Sequence, residues 1–200
     1  TPFPQRLWLL VSPVLGSRAV VAVLGVRLLM RLATRLPMPT LPLFVEAISP
    51  PGARIATITG LISGTSALAG AIGAQSLGRL SDRVSNRFIL IACSVASVAC
   101  YIPQSLVNRA IWLVPLQAGA GLAMGGILAT ISASLAGLAP TGREGIVYGV
   151  DASVVSVANA LGPLTGSLLA ASLGLRVPFV VTAAIFAVAG AAASRLRSRQ

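Results

Sequence analysis

Apolar residues fill six long segments of this chain, and short groups of polar residues, glycine and proline separate each segment from the next. The hydrocarbon core of a bilayer is about 30 Å thick and takes roughly 20 apolar residues in a helix. Lipid offers no partner to an unpaired backbone group, so each segment is predicted to be helical. The alternating ten-residue runs of a membrane β-barrel are absent from the sequence. The predicted spans are residues 19–47, 55–78, 88–107, 111–138, 145–172 and 176–194.

The composition supports an all-α membrane protein. Hydrophobic residues make up 56% of the 200 positions and charged residues only 10%, whereas soluble domains carry about 25% charged residues. There is no histidine and there are only four acids, so a histidine-based triad or a carboxylate metal cage cannot be assembled. We therefore expect no enzyme activity, no metal and no cofactor. The two cysteines, Cys93 and Cys100, share one apolar segment and are predicted to pack there.

Arginine supplies all of the basic charge, and its distribution predicts the orientation of the chain. The net charge of +11 does not indicate nucleic-acid binding, because the arginines punctuate apolar segments instead of clustering on a soluble face. If both termini are cytoplasmic, nine arginines lie inside and three outside, as the positive-inside rule requires. The inner set is Arg6, Arg18, Arg79, Arg83, Arg87, Arg143, Arg195, Arg197 and Arg199, and the outer set is Arg54, Arg109 and Arg176.

Three further arginines lie within the first segment, where charge is costly and indicates a partner or a function. Arg27, Arg31 and Arg35 are four residues apart. Each step of four rotates by only about 40° around a helix, so all three project from one face. That face is predicted to line a wet cavity or to pair across helices. Arg27 either extends to the inner interface or pairs with Asp151, which lies at a matching depth in the fifth segment.

Small residues four positions apart allow helices to approach closely in lipid. Three such glycine pairs are predicted to pack helices together, namely Gly60 with Gly64, Gly121 with Gly125, and Gly162 with Gly166.

The loop after the second segment carries a recognisable motif. It reads GRLSDRVSNRF over residues 78–88, which resembles the signature between the second and third helices of a six-helix half in the major facilitator superfamily. Gly78, Asp82, Arg83 and Arg87 match the pattern, whereas a second glycine is usual at the position of Ser85. Gly78 is predicted to end its helix in the left-handed conformation, and Asp82 to meet a helix N-terminus. These four residues are expected to form a gating loop that closes the inner side of the transporter. The alternative is that the arginines only mark that side.

The resemblance extends along most of the chain. Residues 142–166 resemble the fifth helix of such a half, with Gly162, Pro163 and Gly166 placed as in the antiporter motif of drug exporters. Gln117 stands where the matching helix often carries arginine. Asn159 hydrogen-bonds either a substrate or a neighbouring helix. The order of these features resembles the C-terminal half, helices seven to twelve, of a drug:proton antiporter; the N-terminal half is the alternative.

This resemblance implies a fold and a function. The fold is a six-helix transmembrane bundle over residues 19–194, with a linker or amphipathic segment at 1–18 and a basic cytoplasmic tail at 195–200. The function is proton-coupled export of small amphipathic or drug-like solutes across the inner or plasma membrane by alternating access.

The expected partners are the lipid bilayer, a small-molecule substrate, protons and a second six-helix half, or a second copy, because the chain is interpreted as a fragment. The alternatives are a transporter of sugars or anionic metabolites, or a membrane structural or assembly protein without transport activity.

Overall fold

Helices account for nearly all of the structure, a computed structural model that describes residues 16–81, 84–139, 142 and 144–195. No β-strand occurs in these ranges. A short 3-10 turn at Ala110–Trp112 precedes the fifth helix. The helices are α1 (Arg18–Arg35), α2 (Leu41–Ala47), α3 (Ile55–Ser81), α4 (Asn86–Leu106), α5 (Leu113–Leu138), α6 (Glu144–Leu173) and α7 (Val177–Arg195).

The prediction of a single helix over residues 19–47 is wrong, because two helices share that segment. α1 ends at Arg35 and α2 begins at Leu41. Proline has no N–H to donate and its ring clashes with the preceding turn, so two prolines close together, Pro37 and Pro39, favour the end of α1 at this point. A proline in the first turn of a helix needs no such donor, and Pro42 accordingly lies at the start of α2.

The other five predicted spans agree with α3 to α7 within three residues at each end. These five helices are long and apolar enough to cross a membrane. α1 is not among them, since its 18 residues include four arginines. Gly174 adopts a φ of 104° between α6 and α7, a left-handed conformation that glycine enters without a Cβ clash.

The helices pack as a bundle around one hydrophobic core. α3 lies closely along α5, and α5 and α7 both pack against α4. α1 packs against α6 and α7. Two aromatic pairs tie the elements together: the ring centroids of Phe44 and Phe179 are 5.1 Å apart, and those of Tyr101 and Phe186 are 5.8 Å apart. The core is therefore continuous from the broken first segment to α7.

The three predicted glycine pairs have different outcomes. Gly121 and Gly125 lie against the backbone of α3, and a Cβ added to Gly125 would come within 2.0 Å of the carbonyl oxygen of Gly70. Gly162 and Gly166 lie against the end of α1. In contrast, a Cβ added to Gly60 or Gly64 would meet nothing within 4 Å in the described part of the chain. The structure therefore shows close helix packing at two of the three pairs, and packing at Gly60 and Gly64 stays a prediction.

Candidate functional site

A cavity of about 550 Å³ lies between α1, α3 and α5. This volume is in the range of small-molecule sites, about 300–1,000 Å³. Its polar lining comes from the end of α1, the middle of α3 and the start of α5, with one residue from α4. Those polar residues are Arg31, Thr34, Arg35, Ser63, Ser66, Tyr101 and Gln117. The structure thus places Arg31, Arg35 and Gln117 around one cavity.

Arg35 links the cavity to α6. Its Nε atom donates a hydrogen bond to Oδ1 of Asn159 at 2.8 Å, and Nη1 donates to Sδ of Met38 at 2.9 Å. Both acceptors are neutral, so neither cancels the charge of the guanidinium. Asn159 was predicted to hydrogen-bond either a substrate or a neighbouring helix. Its bond to Arg35 of α1 is of the second kind.

Arg27 and Asp151 form an ion pair between α1 and α6. Nε of Arg27 lies 2.5 Å from Oδ1 of Asp151, and the two side chains are only 12% and 11% exposed. A buried ion pair is costly to break, because removing one partner leaves an uncompensated charge. Neither residue is among the described residues that line the cavity. The third arginine on this face, Arg31, lies between the paired Arg27 and the cavity-facing Arg35.

The environment of Arg31 differs from that of its two neighbours. Its Nε atom is buried and has no hydrogen-bond partner within the described ranges. Arg31 also lines the cavity, so a positively charged side chain forms part of the lining, and no acid of the described chain pairs with it.

The antiporter-like motif lies against the break between α1 and α2. A Cβ added to Gly162 would come within 2.4 Å of the Cβ of Arg35, and one added to Gly166 would come within 1.9 Å of the carbonyl oxygen of Leu36. Pro163 lies inside α6, which continues through it. The two glycines therefore let α6 approach the backbone of α1 at the point where the cavity arginine projects.

Thr182 is a residue of this region that the sequence reasoning missed. Its hydroxyl donates a hydrogen bond to the backbone carbonyl of Ala33 at 2.9 Å, and the side chain is fully buried. Pro37 comes four residues after Ala33 and has no N–H, so this carbonyl lacks its usual helical donor. Pro37 signals the orphaned carbonyl, but the sequence does not reveal which hydroxyl reaches it.

The motif loop is described only at its two ends. Asp82 and Arg83 lie outside the described residues. Arg87 is exposed in the first turn of α4. The predicted helix-ending role of Gly78 is wrong, because α3 continues to Ser81 and Gly78 is not among the glycines with positive φ.

Gly78 instead brings α3 close to α5. A Cβ added there would come within 3.3 Å of the Cβ of Ala129. The other end of the loop is also fixed to α5, because Nδ2 of Asn86 donates to Oγ of Ser134 at 3.0 Å. The two helices that flank the loop are therefore both held against α5.

Comparison with known proteins identifies the class to which this fold and cavity belong. Residues 23–200 match the family model described as Major Facilitator Superfamily. The chain belongs to this family and is an integral membrane protein.

Several curated relatives are each called multidrug resistance protein MdtG. The protein of Citrobacter koseri is 31% identical over 188 residues, which cover 92% of this chain and 46% of the relative. The protein of Enterobacter lignolyticus is 33% identical over 170 residues, covering 85% of this chain and 41% of the relative. That of Salmonella typhimurium is 30% identical over 175 residues, covering 88% and 43%. The chain therefore spans less than half the length of these relatives.

Proposed function

We propose that the chain forms one six-helix half of a proton-coupled exporter, a transporter rather than an enzyme. The exported solutes are small amphipathic or drug-like molecules, which pass by alternating access. The cavity between α1, α3 and α5 carries this proposal, because it combines polar groups and apolar walls in a volume suited to such solutes. The names of the relatives support export of drugs. The proposed orientation has both termini on the cytoplasmic side, from the arginine distribution.

A second six-helix half is the proposed partner. Two features support it: the chain covers less than half of its relatives, and α3 is buried only at Ile62 and Gly73. In transporters of this kind, the substrate site lies near the bilayer midplane between two halves that rock against each other. The cavity on this chain would form one wall of that site, and either the other half of the same protein or a second copy would form the opposite wall.

The Arg27–Asp151 pair is the proposed link between proton binding and movement. A proton on Asp151 would remove the negative charge that holds Arg27, weakening the attachment of α1 to α6. Since Arg35 on the same helix faces the cavity, a shift of α1 would change the substrate wall. Proton uptake would in this way alter the affinity for substrate.

The motif loop is the proposed inner latch, with Gly78, Asp82, Arg83 and Arg87 as its residues. Asp82→Asn in the full transporter is expected to lower transport several-fold without reducing insertion, because the aspartate charge would no longer meet a helix N-terminus. Dye efflux and the amount of protein in the membrane measure the two effects. Glu46→Gln is the control, because it removes one acidic charge outside the loop and outside the cavity lining and should leave efflux unchanged. Unchanged efflux in Asp82→Asn would reduce the loop to an orientation signal.

Transport by purified full-length protein in liposomes tests the overall proposal. A lipophilic fluorescent dye should move against its gradient when a pH difference is imposed, and an uncoupler should abolish that movement. Dye movement that persists with the uncoupler present would contradict proton coupling. The absence of movement of every dye tried, with correctly inserted protein, would contradict the transport function.

A further inference from the structure

The cavity wall carries positive charge, which the proposed export of drug-like solutes does not by itself explain. Arg31 and Arg35 both line the cavity, and its described lining includes no aspartate or glutamate. The two residues are one helical turn apart, so their Cα atoms are separated by about 6 Å along the axis. Two guanidinium groups at this spacing can bind one small anionic group together, because each presents a planar set of hydrogen-bond donors.

The three acids that the structure describes are all placed elsewhere. Asp151 is paired with Arg27. Glu46 is exposed on α2, away from the cavity lining. Glu144 is exposed at the start of α6, where its carboxylate accepts a hydrogen bond from the backbone N–H of Gly142 at 3.1 Å. None of these carboxylates therefore neutralises the arginines of the wall.

The contacts of the two arginines also leave their charge available. Arg35 donates to an amide oxygen and a thioether, both of which are neutral. Arg31 has a buried Nε atom without a partner in the described part of the chain. A positive charge in a site of low polarity is expensive unless it is compensated. A bound anion would supply that compensation.

The rest of the lining suits a molecule with an apolar body. Small and apolar side chains from α3 and α5 form much of the wall, including those of Ala67, Ala71, Met124 and Leu128. The hydroxyl groups of Thr34, Ser63 and Ser66 and the amide of Gln117 offer neutral hydrogen bonds beside them. The wall thus combines an apolar surface, neutral polar groups and a positively charged end.

We infer that the cavity selects amphipathic organic anions, in which an apolar body carries a carboxylate, sulfonate or phosphonate group. The anionic group is bound by Arg31 and Arg35, and the body lies against α3 and α5. This inference rests on the proposed transport function and specifies its substrate class. It separates this transporter from exporters of lipophilic cations, for which an arginine wall would be repulsive.

Two dyes of similar shape and opposite charge provide the test. Fluorescein and rhodamine 123 share a xanthene ring system, but fluorescein is anionic at neutral pH and rhodamine 123 is cationic. Binding of each dye to the purified full-length transporter is measured by fluorescence anisotropy, and transport of each is measured in liposomes. The wild-type protein is expected to bind and transport fluorescein in preference to rhodamine 123.

Variants assign the preference to the cavity. Arg31→Gln and Arg35→Gln are each expected to weaken fluorescein binding about tenfold or more, the loss of a charge-assisted hydrogen bond. Arg31→Lys keeps the charge and should retain part of the fluorescein binding. It provides the test at this position if Arg31→Gln folds poorly. Arg109→Gln is the matched control, since Arg109 is exposed outside the cavity and its loss changes the net charge equally. Monodisperse elution in detergent verifies folding of each variant.

The outcomes separate this inference from the transport function. Preference for fluorescein that falls in both glutamine variants, but not in Arg109→Gln, supports the inference. Preference for rhodamine 123, or fluorescein binding unaffected by either variant, overturns it while leaving transport intact; acids from the other half would then neutralise the arginines. If neither dye binds or moves, the proposed function fails, and the substrate class fails with it.

Discussion

At the scale of single residues, the Arg27–Asp151 pair places two opposite charges at a nearly buried contact between α1 and α6. Each side chain is nearly buried, and each charge is stabilised by the other. Asp151→Asn is expected to leave Arg27 uncompensated and lower the unfolding temperature in detergent. Combining it with Arg27→Gln should recover part of the loss, because both charges are then absent. The coupling should be about 0.5–3 kcal/mol.

The exposed acid Glu46 provides the control for this cycle, because Glu46→Gln removes the same charge from a site that is not buried in the bundle. It should change stability little. Additive effects of the two single changes would show that Arg27 and Asp151 do not depend on each other. Asp151 would then act alone, and its variant should lose proton-coupled transport without losing stability.

Thr182 is a second residue whose effect can be isolated. Thr182→Val keeps the shape of the side chain but removes the hydroxyl that donates to the carbonyl of Ala33. Because Pro37 supplies no donor to this carbonyl, the change should cost roughly 1–2 kcal/mol of stability. Thermal unfolding in detergent measures the loss, and Thr182→Ser should retain most of the stability.

Thr165 offers a matched threonine-to-valine control. Its hydroxyl bonds carbonyls of its own helix, and the residue is exposed on α6. Thr165→Val should therefore leave stability almost unchanged. Equal effects of the two valine variants would mean that the hydroxyl of Thr182 does not compensate for Pro37.

At the scale of helices, the contact of α6 with the end of α1 depends on the absence of side chains. Gly166→Ala would force a Cβ against the carbonyl oxygen of Leu36, and the backbone of one helix would have to move. Overpacking of this kind costs about 1–3 kcal/mol. Since Arg35 lies next to Leu36, we expect both the unfolding temperature and substrate binding to fall.

Gly25→Ala is the comparison for this substitution. Gly25 is also inside a helix, but a Cβ added there would meet nothing within 4 Å in the described structure. The alanine should be neutral or slightly stabilising, because alanine favours helix by up to about 1 kcal/mol over glycine. A Gly166→Ala variant as stable and active as Gly25→Ala would show that α6 and α1 can adjust without cost.

The same helices show how far the sequence predicts this structure. The lengths of the apolar segments and the polar residues between them located α3 to α7, because both can be counted directly in the sequence. The break after Arg35 was missed although its prolines were visible, because prolines can also lie within membrane helices. The shared depth of Arg27 and Asp151 suggested their pairing, whereas the Arg35–Asn159 bond depends on how α6 is rotated against α1. Sequence periodicity does not give that rotation.

At the scale of the whole molecule, the exposed surface is of two kinds. On α4, large apolar side chains recur every seven residues at Phe88, Val95 and Ile102, a face suited to lipid. On α3, the exposed residues Gly60 and Gly64 form a strip of small residues, next to Ser63 and Ala67 of the cavity lining. Small residues gain little from lipid contact but let another helix approach closely. The two faces are therefore expected to have different neighbours in the membrane.

A pair of leucine substitutions tests this difference. Gly64→Leu adds bulk to the small-residue strip of α3, where nothing from the described chain lies within 4 Å of the added Cβ. It should leave this chain folded but block its association with the other half of the transporter. Ala99→Leu adds similar bulk to the exposed face of α4, between Val95 and Ile102, and should leave both folding and association unchanged. Co-purification of the two halves, expressed as separate chains, measures their association. The amount of each variant in the membrane shows whether this chain inserts and folds. If Gly64→Leu and Ala99→Leu capture the other half equally well, α3 faces lipid, and the second half must cover a different surface of the bundle.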